Sequence, residues 1–149
     1  LLHGGGQELG LRSGTLSPAL CVGFGEAARI DDDPAHVTRL FEVALATLGE
    51  TWTLNGSARD RYRGNLNLRR EGLDGARLLS DCREIGFSLG SACASGSGRP
   101  SHVLRALGLS DKEARSSIRL GFGRYTSEEE IVAACSSLNR AADAQALVP

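Results

Sequence analysis

"SIRLGFGRYTSEEEIVAACSSLNRAADAQAL" (117–147) holds two habits in one run. Residues 117–125 read as a strand. The remainder, 126–147, reads as a long helix opened by a capping box from Thr126 to Glu129. The same two habits recur upstream. "GNLNLRR" (64–70) alternates as a strand does, and "LDGARLLSDCREI" (73–85) has helical spacing. "GFSLG" (86–90) reads as a short strand, Pro100 and Ser101 open a helix over 101–108, and 110–117 reads as a capped helical turn. "TWTLNG" (51–56) reads as a strand into an Asn-Gly turn. A helix over 34–48 precedes it, with Val37, Leu40, Phe41, Ala44, Leu45 and Leu48 on one face, and Gly49 ends it. "DDDP" (31–34) separates this helix from an earlier one over 19–30, capped by Ser17 and Pro18. Strands and helices mixed in this order predict an α/β fold of the α+β sandwich kind.

The totals set bounds on function. The chain has 149 residues, 41% hydrophobic and 23% charged, which fits one domain, or a domain with part of another, and excludes a disordered chain. A net charge of −1 gives no reason to expect nucleic acid or an anionic membrane as partner. No apolar run approaches the ~20 residues of a membrane span. Cys21, Cys82, Cys93 and Cys135 form no CxxC pair, so no metal site is expected. Their wide spacing points to a reducing compartment, read as the cytoplasm. Cys82 and Cys135 fall within helical patterns and read as plain core or surface residues. There is no methionine, and the chain opens "LLHGGGQE". Together these read as a fragment whose upstream part, with any targeting signal, is missing.

Four places invite a chemical reading. "GSACASGSG" (90–98) puts Cys93 among residues too small to pack, where Arg99 and His102 stand close in sequence and would favour a thiolate. Arg119 interrupts an apolar strand. A buried arginine there needs an anion, either an internal salt bridge or a substrate carboxylate gripped by the guanidinium fork. "GGGQE" (4–8) offers backbone N–H groups to a phosphate but lacks the ending of a P-loop. "GFGEAA" (23–28) matches GxGxxA, but no strand leads into it, so helix packing through its glycines is the better reading. His36 reads as solvated on its helix.

Taken together, "HGGGQELGLRSGT" and "GSACASGSGRPSHVLRALGLSDKEARSSIRLGFGRYTSEEEI" resemble the cysteine desulfurases of the NifS/IscS kind, pyridoxal-phosphate enzymes of the aspartate-aminotransferase fold. The resemblance implies that 1–30 is the tail of the large, cofactor-binding domain with the start of a connecting helix. It implies that 31–149 is the small C-terminal domain carrying the cysteine loop. It also implies three site residues. Cys93 aligns with the nucleophile that takes sulfur from L-cysteine as a persulfide and leaves L-alanine. Arg119 aligns with the arginine that binds the substrate's α-carboxylate. Thr15 aligns with the threonine that reaches the pyridoxal phosphate of the other subunit of a homodimer. The implied sulfur acceptor is an iron–sulfur scaffold protein or another acceptor.

The family's cofactor-holding lysine lies upstream of "GGGQE". The only lysine here is Lys112, so the chain alone is expected to be inactive. Two further departures stand out. Arg99 sits where relatives usually carry an acid, and the helical region 16–50 is several residues short. The alternative function is a sulfur-relay or docking module that works without pyridoxal phosphate. A bare structural domain with an incidental loop thiol is the third reading.

Overall fold

The computed structural model describes residues 3–30, 33–89 and 100–146. The chain divides into two compact units, Leu1–Asp32 and Asp33–Pro149.

The first unit is a closed loop and a helix. Between Gly4 and Thr15 the chain folds back on itself. Gln7 Oε1 accepts a hydrogen bond from Gly14 N–H at 3.0 Å, and Arg12 donates to Gly14 O at 2.7 Å. A short 3-10 turn, Glu8–Gly10, lies between these contacts. Helix α1 (Pro18–Ala28) comes next, with Pro18 in its first turn and Ser17 at the cap making no side-chain bond. It buries none of its residues, and Leu20, Val22 and Phe24 stand exposed. The expected packing through Gly23 and Gly25 is not found: a Cβ added at either would meet nothing within 4 Å. Buried apolar area is what protects a helix from opening. Amides of 18–28 are therefore expected to exchange with deuterium at the earliest times in the isolated chain, while those of the second unit's sheet persist. Slow exchange across α1, read by peptide mass spectrometry, would contradict this.

The second unit begins with α2 (Pro34–Leu48). Asp33 caps it, its Oδ1 accepting from Ala35 and His36 N–H. Val37, Leu40, Phe41, Ala44 and Leu48 are buried as the spacing predicts, and Leu45 is partly so. Gly49 ends the helix at φ +73°, a left-handed geometry that favours glycine. Strands β1 (Thr53–Leu54), β2 (Asn65–Arg69), β3 (Phe87–Leu89) and β4 (Ser117–Gly121) form one antiparallel sheet in the order β1-β2-β4-β3. Leu66 and Leu68 face the core from β2, and Ile118 and Leu120 from β4. They pack with α2 and α6 (Glu128–Ala146), which bury Ile131, Cys135, Leu138 and Ala142 on the α6 side. The fold class is thus the mixed α/β one read from the sequence.

Three polar contacts lock α6 in place. Trp52 Nε1 donates to Asn139 Oδ1 at 2.7 Å, Asn139 Nδ2 donates to Thr47 O at 2.9 Å, and Arg70 pairs with Asp143 at 2.6 Å.

Several boundaries differ from expectation for identifiable reasons. Helix α3 covers only Gly75–Asp81, capped by Asp74, and stops at Cys82 where the chain turns toward β3. The strand expected over 117–125 ends at Gly121. Beyond it a turn closes as Thr126 N–H donates to Gly123 O and Gly123 N–H donates to Thr126 Oγ1. That turn occupies the Thr126 hydroxyl, so the capping box shifts by one residue. Ser127 and Glu130 exchange the two bonds, at 3.1 and 2.8 Å, instead of Thr126 and Glu129. Helices α4 (His102–Ala106, capped by Ser101) and α5 (Asp111–Arg115, with a capping box between Ser110 and Glu113) fill the connection from β3 to β4. His36 is not simply solvated. It is half-buried, and its Nε2 lies 3.0 Å from Thr126 O, which requires the proton on that nitrogen.

Candidate active site

The outer face of the sheet is polar because β2 alternates strictly. Leu66 and Leu68 point into the core, so Asn65, Asn67 and Arg69 point away from it. Opposite Asn67 across the β2–β4 ladder stands Arg119, and opposite Arg119 across the β4–β3 ladder stands Ser88. Arg119 therefore does not lie buried in an apolar strand, as its neighbours in sequence suggested. It is exposed, in the middle of the sheet, between two small polar side chains. The strand's apolar residues all face the other way. Among the described residues the Arg119 side chain makes no ion pair or hydrogen bond, so the internal salt bridge is not seen there.

Strand β3 ends at Leu89. Cys93 and Arg99 fall in 90–99, outside the described residues, so the expectation of an open loop thiol lies beyond what the structure describes. The anchors of that segment are described. Ser88 is the cross-strand neighbour of Arg119, and Cys93 comes five residues after it, a tether of at most ~18 Å at full extension. On the far side Ser101 is buried as the cap of α4, and His102 is exposed in its first turn. Thr15, exposed at the end of the closed loop of the first unit, makes no side-chain bond among the described residues.

The other thiols are of two kinds. Cys82 and Cys135 belong to the core. Burial pushes the Cys82 thiol up, helped by Glu84 and Asp81, and burial pushes Cys135 up to about 11. Cys21 is exposed.

One network escaped the sequence reading. Asn55, the first residue of the Asn-Gly pair, is buried. Its Nδ2 donates to Asn67 Oδ1 at 2.7 Å and to Ser117 Oγ at 3.0 Å, and its Oδ1 accepts from Arg69 at 2.7 Å. The period-2 pattern of "NLNLR" already placed Asn67 and Arg69 on one face. Nothing in the sequence showed that Asn55 would reach them.

The surroundings of Lys112 do not fit pyridoxal phosphate. Lys112 is exposed on α5, beside a hollow of about 400 Å³ lined by Thr53, Arg69, Arg70, Glu71, Glu113 and Ser116. No aromatic ring is there to stack on a pyridine. In the "GGGQE" loop the carbonyls of Gly6 and Gln7 accept from Gly10 N–H and that of Glu8 accepts from Leu11 N–H. Among the described residues no group of acids, thiols and imidazoles could hold a metal.

No family model matches the chain. Individual proteins do. The mitochondrial cysteine desulfurase of Saccharomyces cerevisiae is 51% identical over 138 residues, which cover 88% of this chain and 28% of the yeast protein. A NifS-like protein from Rickettsia africae superposes with a TM-score of 0.80 at 25% identity, over 96% of this chain and 39% of that one. The structure of SspA in complex with cysteine matches with a TM-score of 0.66 at 35% identity, over 85% of this chain and 36% of that one. The chain belongs to the cysteine desulfurases of the NifS/IscS kind. It corresponds to the C-terminal part of such a desulfurase and spans 28–39% of the length of these three proteins. The yeast desulfurase is mitochondrial, so membership does not by itself assign the cytoplasm. No helix among the described residues is long and apolar enough to cross a membrane.

Proposed function

We propose that the chain works as the C-terminal part of a cysteine desulfurase, taking sulfur from L-cysteine onto Cys93. The Cys93 thiolate attacks the substrate's sulfur. An S–S bond forms as the Cβ–S bond breaks, and the electron pair of the broken bond returns to carbon, which takes a proton to give L-alanine. Bound pyridoxal phosphate would supply the electron sink that makes that bond labile, and it would be held by the part of a desulfurase that this chain does not span. The chain alone is therefore inactive in this reading. Thr15 contributes to the phosphate site of a partner subunit in a homodimer. The persulfide then passes to an acceptor such as an iron–sulfur scaffold protein.

The observation that carries the reading is the placement of Arg119. It is exposed, it has no partner among the described residues, and it sits across the ladder from the residue that leads into the Cys93 segment. A guanidinium so placed is suited to orient a substrate carboxylate near the attacking thiol.

In the complete desulfurase, Arg119→Lys is expected to raise KM for L-cysteine about tenfold or more and to lower turnover, because lysine keeps the charge but loses the fork. The melting temperature is expected to hold, since no described contact is lost. An unchanged KM with a lowered melting temperature would mark Arg119 as structural and refute the assignment.

A further inference from the structure

We infer that Asn67 is a second carboxylate-binding residue beside Arg119, with the orientation of its amide enforced by a relay through Asn55 from Arg69. This rests on the assignment of Arg119 as the carboxylate clamp and extends it to a residue that the sequence reading did not single out.

The relay is dictated by which groups can only donate. A guanidinium has no acceptor, so the Asn55 atom 2.7 Å from the Arg69 guanidinium is the amide oxygen. The Asn55 nitrogen then faces the other way, toward Ser117 and Asn67. The Asn67 atom that meets this nitrogen at 2.7 Å must accept, so it is Oδ1. Asn67 Nδ2 is thereby turned away from Asn55. Among the described residues it makes no hydrogen bond. Three side chains thus fix a fourth with its two N–H donors unspent.

Those donors sit beside Arg119. Asn67 and Arg119 are directly opposed in the β2–β4 ladder, which places their Cβ atoms about 5 Å apart on one face. Ser88 holds the equivalent place on the other flank. A carboxylate presents about four lone-pair directions, and a bidentate arginine fills two of them. The remaining two point to the flanks, where an amide N–H₂ and a hydroxyl stand. The row Asn67–Arg119–Ser88 is therefore complementary to a single carboxylate, and Asn67 is the member whose polarity is set by its neighbours.

The test uses the 149-residue chain, with acetate as probe and chloride at equal ionic strength as control. The ¹⁵N side-chain signals of Arg119 and Asn67 are followed by NMR. Saturable shifts of both, with one common affinity, are the expected result. Asn67→Asp is the decisive variant. It keeps an oxygen for the Asn55 donor but replaces the N–H₂ by a negatively charged oxygen. Acetate affinity should fall about tenfold or more while the melting temperature stays within a few degrees. In the complete desulfurase the same variant should raise KM for L-cysteine far more than it lowers kcat.

If the Arg119 signal shifts but the Asn67 signal does not, or if Asn67→Asp binds acetate as well as the parent chain, the inference is overturned and the Arg119 clamp stands. If neither signal shifts, the clamp falls, and the role of Asn67 falls with it.

Discussion

Cys93→Ser in the complete desulfurase is expected to reduce persulfide formation to background while leaving pyridoxal phosphate bound. Attack on sulfur requires a thiolate, and a serine hydroxyl at neutral pH offers almost no anion to take its place. Nor can the core thiols substitute. Cys135 is fully buried with its thiol pushed up to about 11. At pH 7 a thiol of that acidity is ionised in about one molecule in 10⁴, against roughly 3% for an ordinary cysteine. Cys82 is shifted in the same direction by burial and by the adjacent carboxylates of Glu84 and Asp81. Cys21 is the one exposed thiol among the described residues, and it lies on α1 in the first unit. The double variant Cys21→Ser/Cys93→Ser therefore serves as the background. Persulfide in the single Cys93 variant clearly above that background would assign sulfur transfer to Cys21.

The second large effect is on stability. Phe41→Ala is expected to remove about 3–5 kcal/mol from the second unit, through lost transfer energy and the cavity left behind. Phe41 is only 1% exposed and stands at the centre of the core face of α2. Its ring also carries two guanidiniums, with Arg61 at 5.2 Å and Arg63 at 4.8 Å from the centroid. Without the ring these like charges lose the surface that attracts them both. Arg61 is already held below its ordinary basicity, by burial first and by Arg63 second. A domain of ordinary size has about 5–15 kcal/mol in total, so the variant should melt roughly 10–20 °C lower or fail to fold. Phe41→Leu, which keeps much of the volume, should lose clearly less. Urea unfolding of the chain measures both, and a loss under about 1 kcal/mol for Phe41→Ala would contradict the placement of this ring at the heart of the unit.

The range of the interactions decided which features were legible in the sequence. Helix α2 could be read from end to end because its signals are local: a proline in the first turn, apolar residues at helical spacing, and Gly49 where the backbone turns left-handed. The sequence puts the capping box of α6 one residue early because Thr126 is a good cap in isolation. A turn bond from Gly123 takes its hydroxyl, and only Ser127 is left to cap. For Arg119 the sequence misleads for a different reason. Apolar neighbours in sequence imply burial in a helix interior, but in a strand they occupy the opposite face. The partners that matter, Asn67 and Ser88, come from two other strands. The orientation of Asn67 depends on Asn55, 12 residues before it, and through Asn55 on Arg69, so only the folded register reveals it. Cys93 itself was singled out by the small residues around it, and it lies outside the described residues.

The central claim is that sulfur leaving L-cysteine comes to rest on Cys93. A single turnover of the complete desulfurase with L-cysteine, stopped by a thiol-blocking reagent and digested, locates that sulfur by peptide mass. The account predicts one added sulfur atom on the peptide holding Cys93, in amount equal to the L-alanine released and absent from the peptides of Cys21, Cys82 and Cys135. L-alanine formed in full with the sulfur on another cysteine, or on none, would contradict it.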